Sequence, residues 1–158
     1  MSGEIKLANT LYPTGSDLEK AGSYVDESMG ANLLVVLTNT VDPPGCSSCT
    51  VGIAWTGVAC YTGSARSYRV SVNGKFPQST TILNHAETAV HEIGHNLGMG
   101  HDFNNDESTR YYKGNACNSK GVMSYGEKES EWSQCSWNDF KAYYNYERTF
   151  NSWCLDGK

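Results

Sequence analysis

The chain has 158 residues and a net charge of −5, from 12 basic and 17 acidic side chains. That length gives one domain with room for a core and a cleft, but not for two independent units. The basic residues are scattered, which argues against a nucleic-acid partner or an anionic membrane surface, and no stretch reaches the ~18 apolar residues of a membrane span. Residues 1–20 lack the apolar core of a secretory leader, which reads as a mature or excised segment rather than a cytosolic chain. Six cysteines, an even number, point to an oxidising compartment and a disulfide framework, although counting leaves their pairing open.

In chain order, Ser16-Asp17-Leu18-Glu19 reads as a capping box. Leu18, Ala21, Val25 and Met29 follow at helical spacing, and Gly30 ends the run. Asn32 to Thr38 is a short apolar run with β-branched residues, a buried strand, and Asp42-Pro43-Pro44-Gly45 breaks the chain. Cys46-Ser47-Ser48-Cys49 sits behind that turn without a thioredoxin-like context, so it reads as structural. Val51–Thr56 and Tyr68–Asn73 alternate as strands do, and Asn73-Gly74 reads as a turn closing the second. Asn84 with Glu87 makes another capping box, opening a helix from His85 to about Leu97. Ala86, Ala89, Val90 and Ile93 supply its apolar side, and His85 is expected to be exposed. Residues 102–120 are loop, and Asp102, Asp106 and Glu107 match no calcium-loop spacing. Ser136-Trp137-Asn138-Asp139 opens a last helix whose Phe140, Tyr143 and Tyr144 form a core-packing stripe.

Residues 91–102 read His91-Glu92-Ile93-Gly94-His95-Asn96-Leu97-Gly98-Met99-Gly100-His101-Asp102. His91 and His95 are i and i+4, so on a helix both can reach one metal ion. Gly98 lets the chain turn through a left-handed conformation and return His101 as a third ligand. Three protein ligands leave a position for water, the arrangement of a catalytic zinc rather than a closed structural one. Glu92 stands beside the first ligand, placed to act on the water and not on the metal. An amphipathic helix that merely contains histidines leaves Gly98 and His101 unexplained.

This string resembles the signature of the metzincins, which also requires a methionine in a tight turn beneath the zinc. Gly121-Val122-Met123-Ser124-Tyr125-Gly126, about twenty residues after His101, fits that turn. Asp102, Val51-Gly52-Ile53-Ala54-Trp55 and Trp132-Ser133-Gln134-Cys135-Ser136 are similar to the adamalysin/reprolysin branch, which includes the snake-venom metalloproteinases and the ADAM proteases. The resemblance covers roughly residues 31–154. It implies an α+β zincin fold: a twisted, mostly parallel sheet with an antiparallel edge strand, an active-site helix, a Met-turn and a C-terminal helix. Residues 1–158 would then be a single metalloprotease catalytic domain. The edge strand would be Val51–Thr56, whose unpaired backbone groups suit an extended peptide. The same pattern implies disulfides Cys60–Cys154 and Cys117–Cys135, leaving Cys46–Cys49 as a local bridge. The sequence departs from the branch twice. The 90 residues before His91 are fewer than its members usually carry, so a shortened N-terminal part of the sheet is expected. Tyr125, two residues after Met123, is instead similar to a position in astacins and serralysins.

The implied chemistry is peptide hydrolysis. Three neutral imidazoles leave the charge of Zn2+ largely intact, bound water reaches a pKa of about 7, and Glu92 takes its proton and later delivers it to the leaving amine. Asp102, buried under the third ligand, would hold the turn by hydrogen bonds rather than bind metal. Tyr125 is either a fifth ligand and oxyanion donor or a pocket wall whose hydroxyl meets the backbone; the rest of the signature, which resembles enzymes lacking this tyrosine, favours the wall. Val122 and Tyr125 suggest an apolar pocket for the residue after the scissile bond. The expectation is a secreted, monomeric zinc endopeptidase acting on proteins or peptides. The competing reading is a non-catalytic, zinc-stabilised binding or toxin-like domain, which gives Glu92 no task.

Overall fold

Thr14, rather than Ser16, caps the first helix, α1 (Gly15–Gly22). Its backbone N–H donates to Asp17 Oδ2 at 2.9 Å and its hydroxyl to the same oxygen at 2.7 Å, so the short Asp17 side chain takes the place expected of Glu19. These are residues of a computed structural model that describes positions 12–25, 33–41, 50–75, 82–103, 120–125, 130–151 and 154–155. Helix α1 stops at Gly22, well before Gly30, and Gly22 lies against the Ser67 carbonyl, where a Cβ would collide with it. Val25 keeps its buried place through a turn instead of a helix, its N–H donating to Gly22 O at 3.0 Å. Met29 and Gly30 lie outside the described residues.

Three strands form a sheet in the order β1 (Leu34–Val41), β3 (Val70–Lys75), β2 (Gly52–Ala54). Strand β1 pairs with β3 in parallel and β2 pairs with β3 antiparallel, so the described sheet is mixed rather than mostly parallel, and β2 is its antiparallel edge. The Asn73-Gly74 pair makes no hairpin. Strand β3 runs on to Lys75, and Gly74 N donates to Val51 O at 2.7 Å. A central strand with partners on both sides outweighs the local turn preference of Asn-Gly.

The alternation along β3 gives the sheet two unlike faces. Val70 and Val72, with Leu34, Val36 and Ile53, pack on Leu18 and Ala21 of α1. Ser71 and Asn73 point the other way and are fully buried, with Asn73 Nδ2 donating to Val36 O at 3.1 Å and Ser71 Oγ at 3.2 Å. Their pairing partners Ala54 and Gly52 share that small, polar face, toward which helix α2 (Ile82–Asn96) packs.

Helix α2 begins at Ile82, ahead of Asn84, and Glu87 Oε1 accepts from the Ser130 hydroxyl at 2.7 Å. Ser79-Thr80-Thr81 precede Ile82 in the sequence and offer cap-type residues that compete with Asn84. His85 is half-buried rather than exposed, with Nε2 3.4 Å from Asn73 O. At the other end Asn96 Nδ2 donates to Trp55 O (2.8 Å) and Val70 O (3.3 Å), tying the helix to the sheet. Gly98 then takes φ +84°, and Met99 N reaches back to Gly94 O at 2.9 Å, a Schellman-type reversal.

Helix α3 (Gln134–Phe150) starts two residues before the expected Ser136, because Ser133 caps it by accepting from Ser136 N. Its Tyr143 is fully buried, and the hydroxyl accepts from Cys60 N at 3.0 Å. Cys60 is bonded to Cys154, and both pack with Ala59 and Tyr143 in a second core cluster. Cys135 is also disulfide-bonded. Cys117, Cys46 and Cys49 lie outside the described residues.

Cys60 and Cys154 are separated by 94 residues, a closure for which chain-entropy reasoning gives about 4–5 kcal/mol. Replacing both with serine is expected to lower the unfolding free energy by about that amount in urea denaturation. A change near zero would mean that packing around Tyr143 alone holds the two segments together.

Candidate metal centre

Helical spacing brings His91 and His95 to one face of α2, and the reversal at Gly98 returns His101 to meet them. His101 Nε2 lies 3.2 Å from His91 Nε2 and 3.1 Å from His95 Nε2. These three residues form the one group able to hold a metal ion among the described residues. Tetrahedral zinc with bonds of about 2.0–2.1 Å sets its ligand nitrogens roughly 3.3 Å apart, so the spacing fits that ion.

The tautomers fit as well. His91 Nδ1 donates to Val122 O at 2.8 Å and His95 Nδ1 to Met99 O at 2.9 Å. A carbonyl can only accept, so each Nδ1 carries the proton and each Nε2 turns a bare lone pair toward the centre. Burial lowers the pKa of His95. Burial first, and then the neighbouring His95, lowers that of His101 to about 4. Neutral imidazoles with converging lone pairs repel one another until a cation sits between them.

Two features hold the loop that carries His101. Asp102 is buried, and its Oδ1 accepts from the hydroxyls of Ser133 (2.7 Å) and Ser136 (3.0 Å), while its backbone N donates to Met123 O at 3.1 Å. On the other side Asp139 Oδ2 accepts from Gly100 N at 3.0 Å. Both contacts run to α3 or its cap, so the last helix fixes the third histidine. Asp139 had no role in the sequence reading beyond opening that helix, and its spacing from the histidines carries no signal.

Met123 is fully buried in the turn closed by Ser124 N and Gly121 O at 2.8 Å. A Cβ on Gly94 would stand 2.5 Å from Met123 Sδ, so the thioether lies against a helix surface left bare between the two helical histidines. Val122 is buried as well.

Glu92 follows His91 on α2 and is only 5% exposed. Tyr125, by contrast, is 67% exposed. Its hydroxyl lies 3.0 Å from His101 Nε2, at the histidines rather than at a backbone group. Burial and then the charge of Glu92 raise its pKa. Phe103, which the sequence reading passed over as loop, stacks on His101 with centroids 5.0 Å apart and an interplanar angle of 12°, and touches Tyr125 at 4.7 Å. An aromatic residue two positions after the third histidine, in an otherwise polar stretch, was its available signal.

Residues 15–137, more than half of the chain, match the family model described as Metallo-peptidase family M12. The chain is 33% identical over 99 residues to the zinc metalloproteinase-disintegrin-like atrase-A of Naja atra, a match covering 63% of this chain and 14% of that protein. It is 36% identical over 94 residues to disintegrin and metalloproteinase domain-containing protein 9 of Homo sapiens, covering 58% of this chain and 10% of the relative. The chain thus spans a small part of either relative's length. A solved structure of a chaperone–substrate complex aligns with 88% of this chain and 25% of its own at 14% identity and a TM-score of 0.39, too weak to bear on fold or function.

Because His95 and His101 stay neutral below the ordinary range, with His101 lowered to about 4, protons should compete with metal at these two ligands only as pH falls toward that value. Dialysis of zinc-loaded protein at stepped pH, followed by metal analysis, is expected to show about one zinc per chain at pH 6 and loss near pH 4. His95→Ala should retain little at any pH. Metal loss already around pH 6.5 would contradict burial as the controlling factor.

Proposed function

Since the chain belongs to the reprolysin branch of the M12 metallopeptidases, we propose that it is a zinc-dependent endopeptidase that cleaves peptide bonds in proteins. The observation that carries this is the convergence of three imidazole nitrogens with Glu92 beside the first of them. His91, His95 and His101 would hold the ion. Zinc held there would supply a water of pKa about 7 and a Lewis acid for the scissile carbonyl.

The chain's own residues supply the rest. Glu92, a buried carboxylate one residue from His91, takes the proton of the attacking water and passes it to the leaving amine. The Tyr125 hydroxyl, 3.0 Å from His101 Nε2, is placed to donate to the oxyanion that develops on the carbonyl, which supports the donor role over the wall role. Met123 is the methionine of the Met-turn, supporting the histidines from below, and Asp102 holds the turn without touching metal. Strand β2, at the sheet edge, offers backbone groups to an extended substrate. The disulfide chemistry supports work outside the cell, and no described helix is long and apolar enough to cross a membrane. A purely structural zinc domain would leave the buried carboxylate of Glu92 without purpose.

Glu92→Gln is expected to keep zinc and fold while losing several orders of magnitude in cleavage of a fluorogenic peptide library. Near-parental turnover in that variant would sink the mechanism. Tyr125→Phe should lower kcat on the order of 10²-fold at unchanged KM, the cost of one oxyanion donor. A kcat within a few-fold of the parent would return Tyr125 to the pocket wall.

A further inference from the structure

We infer that Gly52 is a positioning residue for the reaction: a side-chain-free strip of β2 is the seat against which the Glu92 carboxylate is aimed. The inference rests on the reading of Glu92 as the proton carrier.

Strand β2 alternates in the ordinary way. Ile53 faces the α1 core, so Gly52 and Ala54 face α2. A Cβ built on Gly52 would stand 2.5 Å from Glu92 Oε1, 2.7 Å from Glu92 Cγ and 2.8 Å from Thr88 Cγ2. All three are closer than side-chain carbons come in folded proteins. Thr88 is one helical turn before Glu92 on the same face of α2, so the glycine clears space for one edge of that helix, with Glu92 at its closest point.

The glycine is not there for the backbone. The described glycines with positive φ are Gly57, Gly63 and Gly98, and Gly52 is not among them, so its conformation suits any residue. Space is what it supplies. Neither neighbour can easily retreat. Gly52 is held in register opposite Asn73 of the buried central strand, next to the 2.7 Å bond from Gly74 N to Val51 O. The C-terminal end of α2 is fixed through Asn96 to Trp55 O and Val70 O. The part that can give is the Glu92 side chain, since two of the three crowded atoms belong to it. A methyl group at position 52 therefore displaces the carboxylate away from β2 and leaves strand and helix in place.

A carboxylate moved by about an ångström loses its alignment with the water it must deprotonate, a misplacement that can cost on the order of 10²-fold. Gly52→Ala is expected to lower kcat for the fluorogenic peptide library by about that factor, with zinc content and melting temperature close to the parent. KM should change little. Glu92→Ala removes both crowded atoms of that side chain and leaves room for the methyl group. In the Glu92→Ala background any further loss in the residual kcat caused by Gly52→Ala should therefore be much smaller, a coupling that a strand contact with substrate would not give.

Three results would overturn the inference: parental kcat in Gly52→Ala, a rise in KM alone, or additive losses in the double variant. If Gly52→Ala loses zinc or melts early, the same kinetics are read in Gly52→Ala/Thr88→Ser, which lacks the methyl group at 2.8 Å. Low kcat there with zinc retained supports the inference, and parental kcat overturns it. Glu92→Gln separates the two levels. An active Glu92→Gln removes the functional reading itself, whereas an inactive one beside a fully active Gly52→Ala removes only the role of Gly52.

Discussion

Two imidazole nitrogens held at 3.1 and 3.2 Å from a third are a local liability, and much of this fold exists to impose it. Like lone pairs repel, and rings free to rotate would turn apart. They are held because the outer nitrogens of His91 and His95 are engaged by the carbonyls of Val122 and Met99. Each carbonyl belongs to a segment fixed by something else. Met99 lies in the reversal that Gly98 permits, and Val122 lies in the turn whose next residue, Met123, fills the hollow at Gly94. The geometry of the centre is thus set by backbone groups in turns that cannot shift independently.

The two-faced sheet carries the same constraint outward. A valine face toward α1 provides apolar burial, while the opposite face is built of Gly52, Ala54, Ser71 and Asn73. Small and polar residues there let α2 lie close to the strands, and Asn73 meets the cost of its own burial with bonds to Val36 O and Ser71 Oγ. A second apolar face would give more hydrophobic burial but would hold α2, and with it Glu92, farther from β2. Positioning has taken precedence over packing on this side.

The centre was legible in the sequence because its geometry is local. His91, His95, Gly98 and His101 span eleven positions, and helical periodicity plus one left-handed glycine dictates how they meet. The order of helices and strands was legible for the same reason. The boundaries were not. Asn73-Gly74 looked like a turn because the sequence does not reveal that β3 is flanked on both sides, and the close approach of Gly22 to the Ser67 carbonyl, some forty-five residues away, is also absent from it. Asp139, Phe103 and the role of Gly52 were equally hidden. Each acts through a contact made across the fold, and neither spacing nor composition records such contacts.

The clamp on the third histidine shows how this long-range layer bears on the local one. Asp102 and Asp139 grip the His101 loop from two sides, one through serine hydroxyls and one through the Gly100 amide. Burial, against the effect of the Gly100 amide and with that of the Asp102 charge, pushes the Asp139 carboxyl up to about 6 from 3.8. A carboxyl whose pKa is higher folded than unfolded stabilises the fold most below its unfolded value, and that contribution is lost as pH rises through about 6. At neutral pH the loop is therefore held by two carboxylates that work against each other. A dication held by the nearby histidines would offset that negative charge, so metal and the α3 clamp would stabilise the same loop by opposite signs of one electrostatic balance.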